Sequence, residues 1–185
     1  MKTISKIIFK LSGWKVVYTL SPELKKCVMI AAPHTSNWDF FYARLAFFIM
    51  GIKLRYMVKK ELIRFPFGWI LKALGAIPVD RKKKGNLVDA CIQLFDEHEE
   101  LVVLIPPEGT RGKVDKWKTG FYHTAVGAKV PIALGYLDFE KKIAGIGSIF
   151  WPTGDIHSDF EHLRNFYKNI TPAHPGLFDP NTIKP

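Results

Sequence analysis

Short apolar runs alternate along this chain with longer segments of helical periodicity. Apolar runs of five to seven residues, bounded by turn-forming residues, are typical of buried strands. Strands that alternate with helices indicate a single α/β domain with a mixed, mostly parallel sheet flanked by helices. The predicted strands are residues 27–32, 54–58, 75–81, 101–105 and 131–137, with 142–150 as a hairpin partner of the last.

The helices are predicted from their periodicity and their end signals. Ser36 and Asn37 are favourable N-caps, and Gly51 is a favourable stop, so a helix is predicted over 37–50. This segment is apolar nearly all round, which predicts a buried helix about 20 Å long. The other predicted helices are residues 87–98, 121–129 and 155–167, with one or two short ones within 61–74.

Residues 3–14 are amphipathic. Ile4, Ile7 and Leu11 recur at helical spacing, and Lys6 and Lys10 fall largely on other faces. Two interpretations fit this pattern equally well: a helix at a membrane surface, or a helix packed on the core of its own domain.

The charge of the chain is unevenly distributed. Residues 1–84 hold 17 basic and 4 acidic side chains, a net charge of +13, whereas residues 85–185 carry −3. A uniformly basic coat protein for nucleic acid is therefore disfavoured, and one half of the chain is expected to face an anionic partner. Ten of the basic residues lie within 53–84.

Bulk properties limit the class of protein further. The 185 residues, 48% of them hydrophobic, suit one domain with a proper core. The longest runs without charge are twelve residues, too short for a membrane span, and no secretory signal is expected. Cys27 and Cys91 lie in apolar segments, and two cysteines are too few for a disulfide scaffold, which favours a cytosolic setting. We expect three parts: an amphipathic region (1–20), one main globular domain (21–170) and an irregular tail (171–185).

The first polar cluster follows the strand at 27–32. His34 precedes the predicted helix and Asp39 lies in its first turn, so the two side chains can meet. A carboxylate beside a histidine fixes the tautomer and stabilises the imidazolium, as a general base requires. The spacing alone also fits a turn histidine and a carboxylate that stabilises a helix N-terminus.

Two further clusters follow strands. Asp80 and Arg81 begin a basic run, and Arg81, at the strand end, is favoured for a specific role over the lysines at 82–84. The third cluster is Glu108, Gly109, Thr110 and Arg111, in which a glycine turn lets a ligand approach the backbone and Arg111 adds a charged contact.

Taken together, the order and spacing of these clusters resemble the glycerolphosphate acyltransferase superfamily, the PlsC-like lysophospholipid acyltransferases. The resemblance extends over about residues 27–137 and includes four motifs: H-x4-D, G-x-I/V-x-V/I-D-R, P-E-G-T-R with a downstream K-x-G-F/A, and an apolar V-P-I strand. The matching residues are His34 and Asp39; Gly75, Ile77, Val79, Asp80 and Arg81; 107–111 with Lys118, Gly120 and Phe121; and Val130, Pro131 and Ile132.

The resemblance implies a reaction and its participants. His34 would take a proton from an acceptor hydroxyl, which attacks an acyl thioester without an acyl-enzyme, and Asp39 would orient His34. Arg81, Glu108, Gly109, Thr110 and Arg111 would bind the acceptor, and backbone amides of the first or third motif would hold the oxyanion. The implied partners are a lysolipid acceptor, acyl-CoA or acyl carrier protein as co-substrate, and an anionic membrane surface, with no cofactor, metal or nucleic acid. The expected location is peripheral, on the cytoplasmic side of a membrane.

Two alternatives stay open. The fourth motif continues Ala133-Leu134-Gly135 where the family has a second Val-Pro, which leaves room for a lyso-amino-acid lipid, such as a lyso-glycine or lyso-ornithine lipid, as acceptor. A non-catalytic module that binds anionic lipid is compatible with the charge alone.

Overall fold

The structure, a computed structural model, describes residues 1–19, 21–59, 63, 68–79 and 87–185. In this part of the chain, six α-helices and seven strands follow one another largely in the alternating order that the sequence predicts. The helices are α1 (Lys2–Ser12), α2 (Asn37–Met50), α3 (Gly68–Ala73), α4 (Leu87–Asp96), α5 (Gly120–Ala128) and α6 (Ile156–Tyr167). The strands are β1 (Lys15–Val17), β2 (Lys26–Ala31), β3 (Leu54–Lys59), β4 (Ala76–Val79), β5 (Leu101–Ile105), β6 (Ile132–Asp138) and β7 (Ile143–Phe150).

The described strands form one sheet in the order β1-β7-β6-β2-β5-β3-β4. Every neighbouring pair is parallel except β6 and β7, which form the predicted antiparallel hairpin. The expected fold class, a mixed and mostly parallel sheet flanked by helices, is confirmed. Strands β2 and β5 are adjacent and in register, with Lys26 opposite Leu101 and Ile30 opposite Ile105.

The sheet separates two cores because successive side chains of each strand point to opposite faces. Val28 and Ile30 of β2 pack in one core, which also holds Cys91 of α4 and residues of α5 and α6. Cys27 and Met29 face the other core, under α1 and α2. Cys27 and Cys91 are not joined in a disulfide, and burial raises the pKa of Cys27 to about 12 and that of Cys91 to about 11, so neither is a reactive thiolate.

Helix α2 begins and ends where the sequence predicts. The Ser36 hydroxyl accepts a hydrogen bond from the Trp38 N–H and, with Asp39, forms a capping box, and Gly51 ends the helix in the left-handed region at φ 78°. The prediction that the helix is buried is wrong for its first two turns. Trp38 is 60% exposed, and Phe40 and Phe41 are also exposed, because only the later part of the helix is covered by the sheet and α1.

Helix α1 packs on the core of its own domain, as one of the two interpretations predicts, and the membrane-surface interpretation stays a prediction. Ser5 and Phe9 are buried against the domain, and α1 contacts α2. Ile4, Ile7 and Leu11 remain exposed, Leu11 at 83%. The helix therefore packs on the core by one face and presents a row of apolar side chains on another. The three-residue strand β1, which the sequence pattern does not predict, then pairs with β7.

The ends of the chain pack on the same sheet as the middle. Within residues 171–185, Thr182 and Ile183 are buried, and the carbonyl oxygen of Thr182 accepts a hydrogen bond from the Trp117 N–H at 3.1 Å. Of the short helices predicted within 61–74, α3 is described, and most of residues 60–67 lie outside the described residues. None of the described helices is long and apolar enough to cross a bilayer.

Candidate active site

The sheet topology brings the first and third sequence clusters together. Strands β2 and β5 are parallel neighbours, so their carboxyl ends lie side by side, and functional groups of open α/β sheets gather at such ends. His34 follows β2 by three residues and Glu108 follows β5 by three residues. The two loops therefore meet above the same edge of the sheet.

His34 and Asp39 form the predicted pair. The Nδ1 atom of His34 lies 3.0 Å from Oδ2 of Asp39, and the Asp39 side chain is 7% exposed. Because an ionised carboxylate can only accept hydrogen bonds, Nδ1 carries the imidazole proton. The other nitrogen, Nε2, is then left with its lone pair, which is the arrangement of a general base.

The same carboxylate also organises the backbone. Oδ2 of Asp39 accepts hydrogen bonds from the N–H groups of Thr35 at 2.7 Å and Ser36 at 2.8 Å. Asp39 is thus both the partner of the histidine and the carboxylate of the helix cap, while the role of His34 as a general base stays a prediction. The amides of Thr35 and Ser36 already donate to Asp39, which removes them as donors to an oxyanion.

Glu108 binds the backbone of the histidine loop. Its Oε1 accepts a hydrogen bond from the His34 N–H at 3.1 Å, and its Oε2 is buried with no partner among the described residues. Burial, the largest cause, raises the pKa of Glu108 to about 7, although the hydrogen bond from His34 opposes the rise. This carboxyl group is buried beneath the loop, within hydrogen-bonding distance of the His34 backbone.

The remaining residues of the third cluster form an exposed turn. Gly109 has a φ of 67°, in the left-handed region, and its N–H donates to the carbonyl oxygen of Pro106. A Cβ atom at Gly109 would lie 2.6 Å from Nζ of Lys118. The Thr110 hydroxyl accepts from the Gly112 N–H within the turn. Arg111 is exposed and lines the cavity described below together with His34.

The second cluster, Asp80 and Arg81, lies outside the described residues. Strand β4, which precedes it, is described to Val79 and is the outer neighbour of β3. The prediction that Arg81 binds the acceptor therefore stays a prediction.

A cavity of about 180 Å³ opens beside the His34–Asp39 pair and extends beneath α2. Most of its lining is apolar and comes from one face of α2 and from the strands below it. Gly135 and Leu137, which continue the fourth motif along β6, contribute to this wall. An apolar cavity with a few polar groups at one end is typical of a site for a ligand with a hydrocarbon part. The lining residues from the second half of α2 and from the start of β3 include Ala46, Phe47, Met50 and Leu54.

The C-terminal segment reaches the histidine loop from the other side. The N–H of His174 donates to the Thr35 hydroxyl at 3.1 Å, and Thr35 is 5% exposed. Residues 139 positions apart are thus joined directly beside the His34–Asp39 pair.

Comparison with known families places this site in context. Residues 15–133, about two thirds of the chain, match the model of the family described as Acyltransferase. The chain belongs to the acyltransferase family. The matched region includes the His34–Asp39 pair and the loop from Glu108 to Arg111. The resemblance to the PlsC-like superfamily and the expectation of an enzyme are thereby confirmed.

A solved structure shares the fold of this acyltransferase. The crystal structure of the 1-acyl-sn-glycerophosphate (LPA) acyltransferase PlsC from Thermotoga maritima superposes with a TM-score of 0.60 at 18% identity, over 90% of this chain and 73% of that one. No curated protein matches the sequence significantly.

Sequence reasoning missed three contributors to the site of the acyltransferase. Arg44 of α2 and Tyr56 of β3 line the cavity, and Thr35 receives the C-terminal segment. Arg44 is the sole charged residue of its helix after Asp39, which was a usable signal. Tyr56 and Thr35 carried none, because their roles depend on which strands are neighbours.

Proposed function

We propose that this enzyme transfers a fatty acyl group from acyl-CoA or acyl carrier protein to the hydroxyl of a lysolipid such as lysophosphatidic acid. The observation that carries the proposal is the His34–Asp39 pair, 3.0 Å apart, at the mouth of an apolar cavity. A general base next to an apolar cavity suits a substrate that has both a reactive hydroxyl or thioester and a hydrocarbon chain. The name of the Thermotoga relative, an LPA acyltransferase, agrees with this substrate class.

His34 acts as the general base. Its Nε2 accepts the proton of the acceptor hydroxyl while the oxygen forms a bond to the thioester carbonyl carbon. The resulting tetrahedral intermediate collapses as the carbon–sulfur bond breaks, and the imidazolium returns the proton to the departing thiolate. Asp39 stabilises the imidazolium and holds Nε2 toward the substrate. The acyl group passes directly to the acceptor, so no acyl-enzyme forms.

The third cluster supplies the electrostatic part of the proposed reaction. Since the amides of Thr35 and Ser36 donate to Asp39, the oxyanion is assigned to donors of the turn that contains Thr110 and Arg111. Arg111 and Arg81 bind the anionic head of the acceptor through charge-assisted hydrogen bonds. Glu108 contributes by fixing the His34 backbone.

We further propose that the enzyme docks on an anionic membrane from its cytoplasmic side through a surface we call the docking face: Ile4, Ile7 and Leu11 of α1 with Trp38 and Phe41 of α2. All five side chains are at least 40% exposed. The two helices are joined through Tyr42, whose ring lies 6.2 Å from that of Phe9 and 5.3 Å from that of Phe41.

Charge supports the same orientation. Lys6 and Lys10 of α1 flank the apolar row, and each cation near an anionic surface contributes about 1 kcal/mol. The face also includes the first turn of α2, next to Asp39, so a docked enzyme would hold its catalytic pair close to the lipid. A lysolipid could then reach the site from the membrane.

The experiment that tests the function is an acyl-transfer assay with the purified chain. Radiolabelled palmitoyl-CoA or palmitoyl-acyl carrier protein is supplied with lysophosphatidic acid, or with lyso-ornithine and lyso-glycine lipids, in mixed vesicles. We expect labelled phosphatidic acid to form, and its formation to fall at least a thousandfold in His34→Ala. If no acceptor is acylated, or if His34→Ala is as active as the unaltered enzyme, the proposal is wrong. Preferential labelling of an amino-acid lipid would keep the mechanism and replace the acceptor.

A further inference from the structure

Two polar side chains lie in the apolar cavity without partners. Nε of Arg44 and the hydroxyl oxygen of Tyr56 are both buried, and neither has a hydrogen-bond partner among the described residues. Both residues line the cavity that holds His34 and Asp39. Buried polar atoms almost always have a partner, so two orphans that share one cavity call for an explanation.

The structure gives Arg44 no charged partner in the part of the chain it describes. Its guanidinium lies over the ring of Phe48, with Cζ 4.5 Å from the ring centroid. Desolvation by burial lowers the pKa of Arg44, and the proximity of Tyr56 opposes this. The buried Nε–H group of Arg44 can therefore donate a hydrogen bond to an acceptor that a ligand brings into the cavity.

The position of the two groups relates them to the acyl chain. Arg44 lies five residues after Asp39, so it is about 7.5 Å further along the axis of α2, below the catalytic pair. The ring of Tyr56, in β3, packs against the ring of Phe40, in α2, and the two ring centroids are 5.8 Å apart. Beyond them the cavity is lined by Met50 and Leu54. A chain whose thioester lies at His34 and whose tail extends under α2 would pass Arg44 and Tyr56.

We propose that Arg44 and Tyr56 form a subsite for an oxygen atom on the acyl chain of the donor, so that the enzyme selects hydroxylated or oxo-substituted acyl thioesters over plain ones. This inference rests on the proposed acyl transfer and specifies its donor. The Arg44 N–H donates to the chain oxygen, and the Tyr56 hydroxyl donates to it or accepts from it. A site built to bind a substrate hydroxyl discriminates strongly against an analogue that lacks it, because its own polar groups are then left unpaired.

The test compares dodecanoyl-CoA with a series of hydroxydodecanoyl-CoA donors that carry the hydroxyl at successive positions, with lysophosphatidic acid as acceptor. We expect kcat/KM for at least one hydroxylated donor to exceed that for the plain donor about tenfold or more. In Arg44→Met with Tyr56→Phe the ratio should fall to near one, mainly through KM for the donor. Arg55→Met, an exposed arginine next to Tyr56 in β3, should keep the ratio of the unaltered enzyme.

Three results would overturn the inference: equal use of plain and hydroxylated donors, an unchanged ratio in the double variant, or an effect confined to KM for the acceptor. If the variant that contains Arg44→Met does not fold, Tyr56→Phe alone, which removes one hydroxyl group, is used for the same comparison of donors. Calorimetric binding of non-reactive S-dodecyl-CoA and S-hydroxydodecyl-CoA repeats the comparison without acyl transfer. The two possible failures are therefore distinguishable. If the proposed function is wrong, no acyl group is transferred from any donor. If the subsite is wrong, the two thioethers bind equally well.

Discussion

The carboxylate of Glu108 accepts a hydrogen bond from the backbone N–H of His34 at 3.1 Å, across 74 positions of sequence. The bond links the loop after β5 to the loop after β2, and it holds in place the backbone of His34, the proposed general base. The carboxyl group of Glu108 is buried, and burial raises its pKa to about 7.

Glu108 should make stability depend on pH. Its pKa in the folded chain is raised from the ordinary value of 4.5, so the folded protein binds this proton more tightly than the unfolded chain does. The resulting stabilisation is complete below about pH 4.5 and is lost as the pH rises to about 7. Urea denaturation from pH 4 to pH 8 should show the unaltered enzyme losing about 3 kcal/mol relative to Glu108→Gln, which cannot titrate. Parallel profiles for the two proteins would contradict this.

Asp39→Asn should separate the two roles of Asp39. The same oxygen, Oδ2, contacts Nδ1 of His34 and accepts from the N–H groups of Thr35 and Ser36, so an amide oxygen in that position keeps all three contacts. The helix cap should then survive, and the unfolding free energy should change by about 1 kcal/mol or less. The neutral amide cannot stabilise the imidazolium that forms in the proposed reaction, so we expect kcat to fall about 100- to 10,000-fold. In Asp39→Ala, by comparison, both activity and stability should fall. An Asp39→Asn enzyme with undiminished kcat would contradict the assignment.

Vesicle binding should depend on the docking face. Leu11 is 83% exposed, so Leu11→Glu should leave the fold intact while it removes apolar contact and adds repulsion from anionic lipid. We expect sedimentation with anionic vesicles to be lost in this variant and weakened by salt in the unaltered enzyme. Val126→Glu is the matched control, because Val126 is also exposed but lies on α5, across the sheet. An equal loss of vesicle binding in both variants, or equal binding to neutral and anionic vesicles at any salt concentration, would contradict the proposed docking face.

Gly109→Ala should destabilise the turn that follows β5. A φ of 67° costs a residue with a Cβ about 1–2 kcal/mol, and that Cβ would also meet Nζ of Lys118. Because the lysine end can move, Lys118→Ala should restore only a small part of the lost unfolding free energy. A double-mutant cycle measured by urea denaturation checks this. If Lys118→Ala restored all of the lost unfolding free energy, the destabilisation would come from the contact between the new Cβ and Lys118 and not from backbone strain at residue 109.

Thr35→Val should release the C-terminal segment from the histidine loop. It removes the acceptor of the His174 N–H, a bond worth about 1 kcal/mol, and hydrogen exchange at the His174 amide should accelerate. Thr171→Val, in the same segment, removes an exposed bond to Glu140 and should leave that amide unaffected. Unchanged exchange in Thr35→Val would show that other contacts hold the segment.

The sequence was sufficient to predict most helices and strands and the contact between His34 and Asp39. His34 and Asp39 meet because local signals, the strand end, the Ser36 cap and the first helical turn, specify their geometry within six residues. The strand order could not be predicted from the sequence. The hydrogen bond between Glu108 and His34 could not be predicted either, because that bond requires β2 and β5 to be neighbours in register.

The errors have a common physical origin. An apolar pattern states how much of a helix avoids water and not which surface covers it, so α2 was predicted buried although Trp38 and Phe41 are exposed. Strand β1 was missed because three residues are too few for a period, and its pairing with β7 is determined by the fold.

The bond between Thr35 and His174 has a consequence for how the enzyme matures. A ribosome makes the histidine loop about 140 residues before the segment that braces it, a delay of about 7–28 seconds at 5–20 residues per second. Strands β6 and β7 are also synthesised late, so the histidine loop has neither the complete sheet nor the contact with His174 while most of the chain is made. A nascent chain stalled before residue 174 would carry both His34 and Asp39 and still lack a finished site.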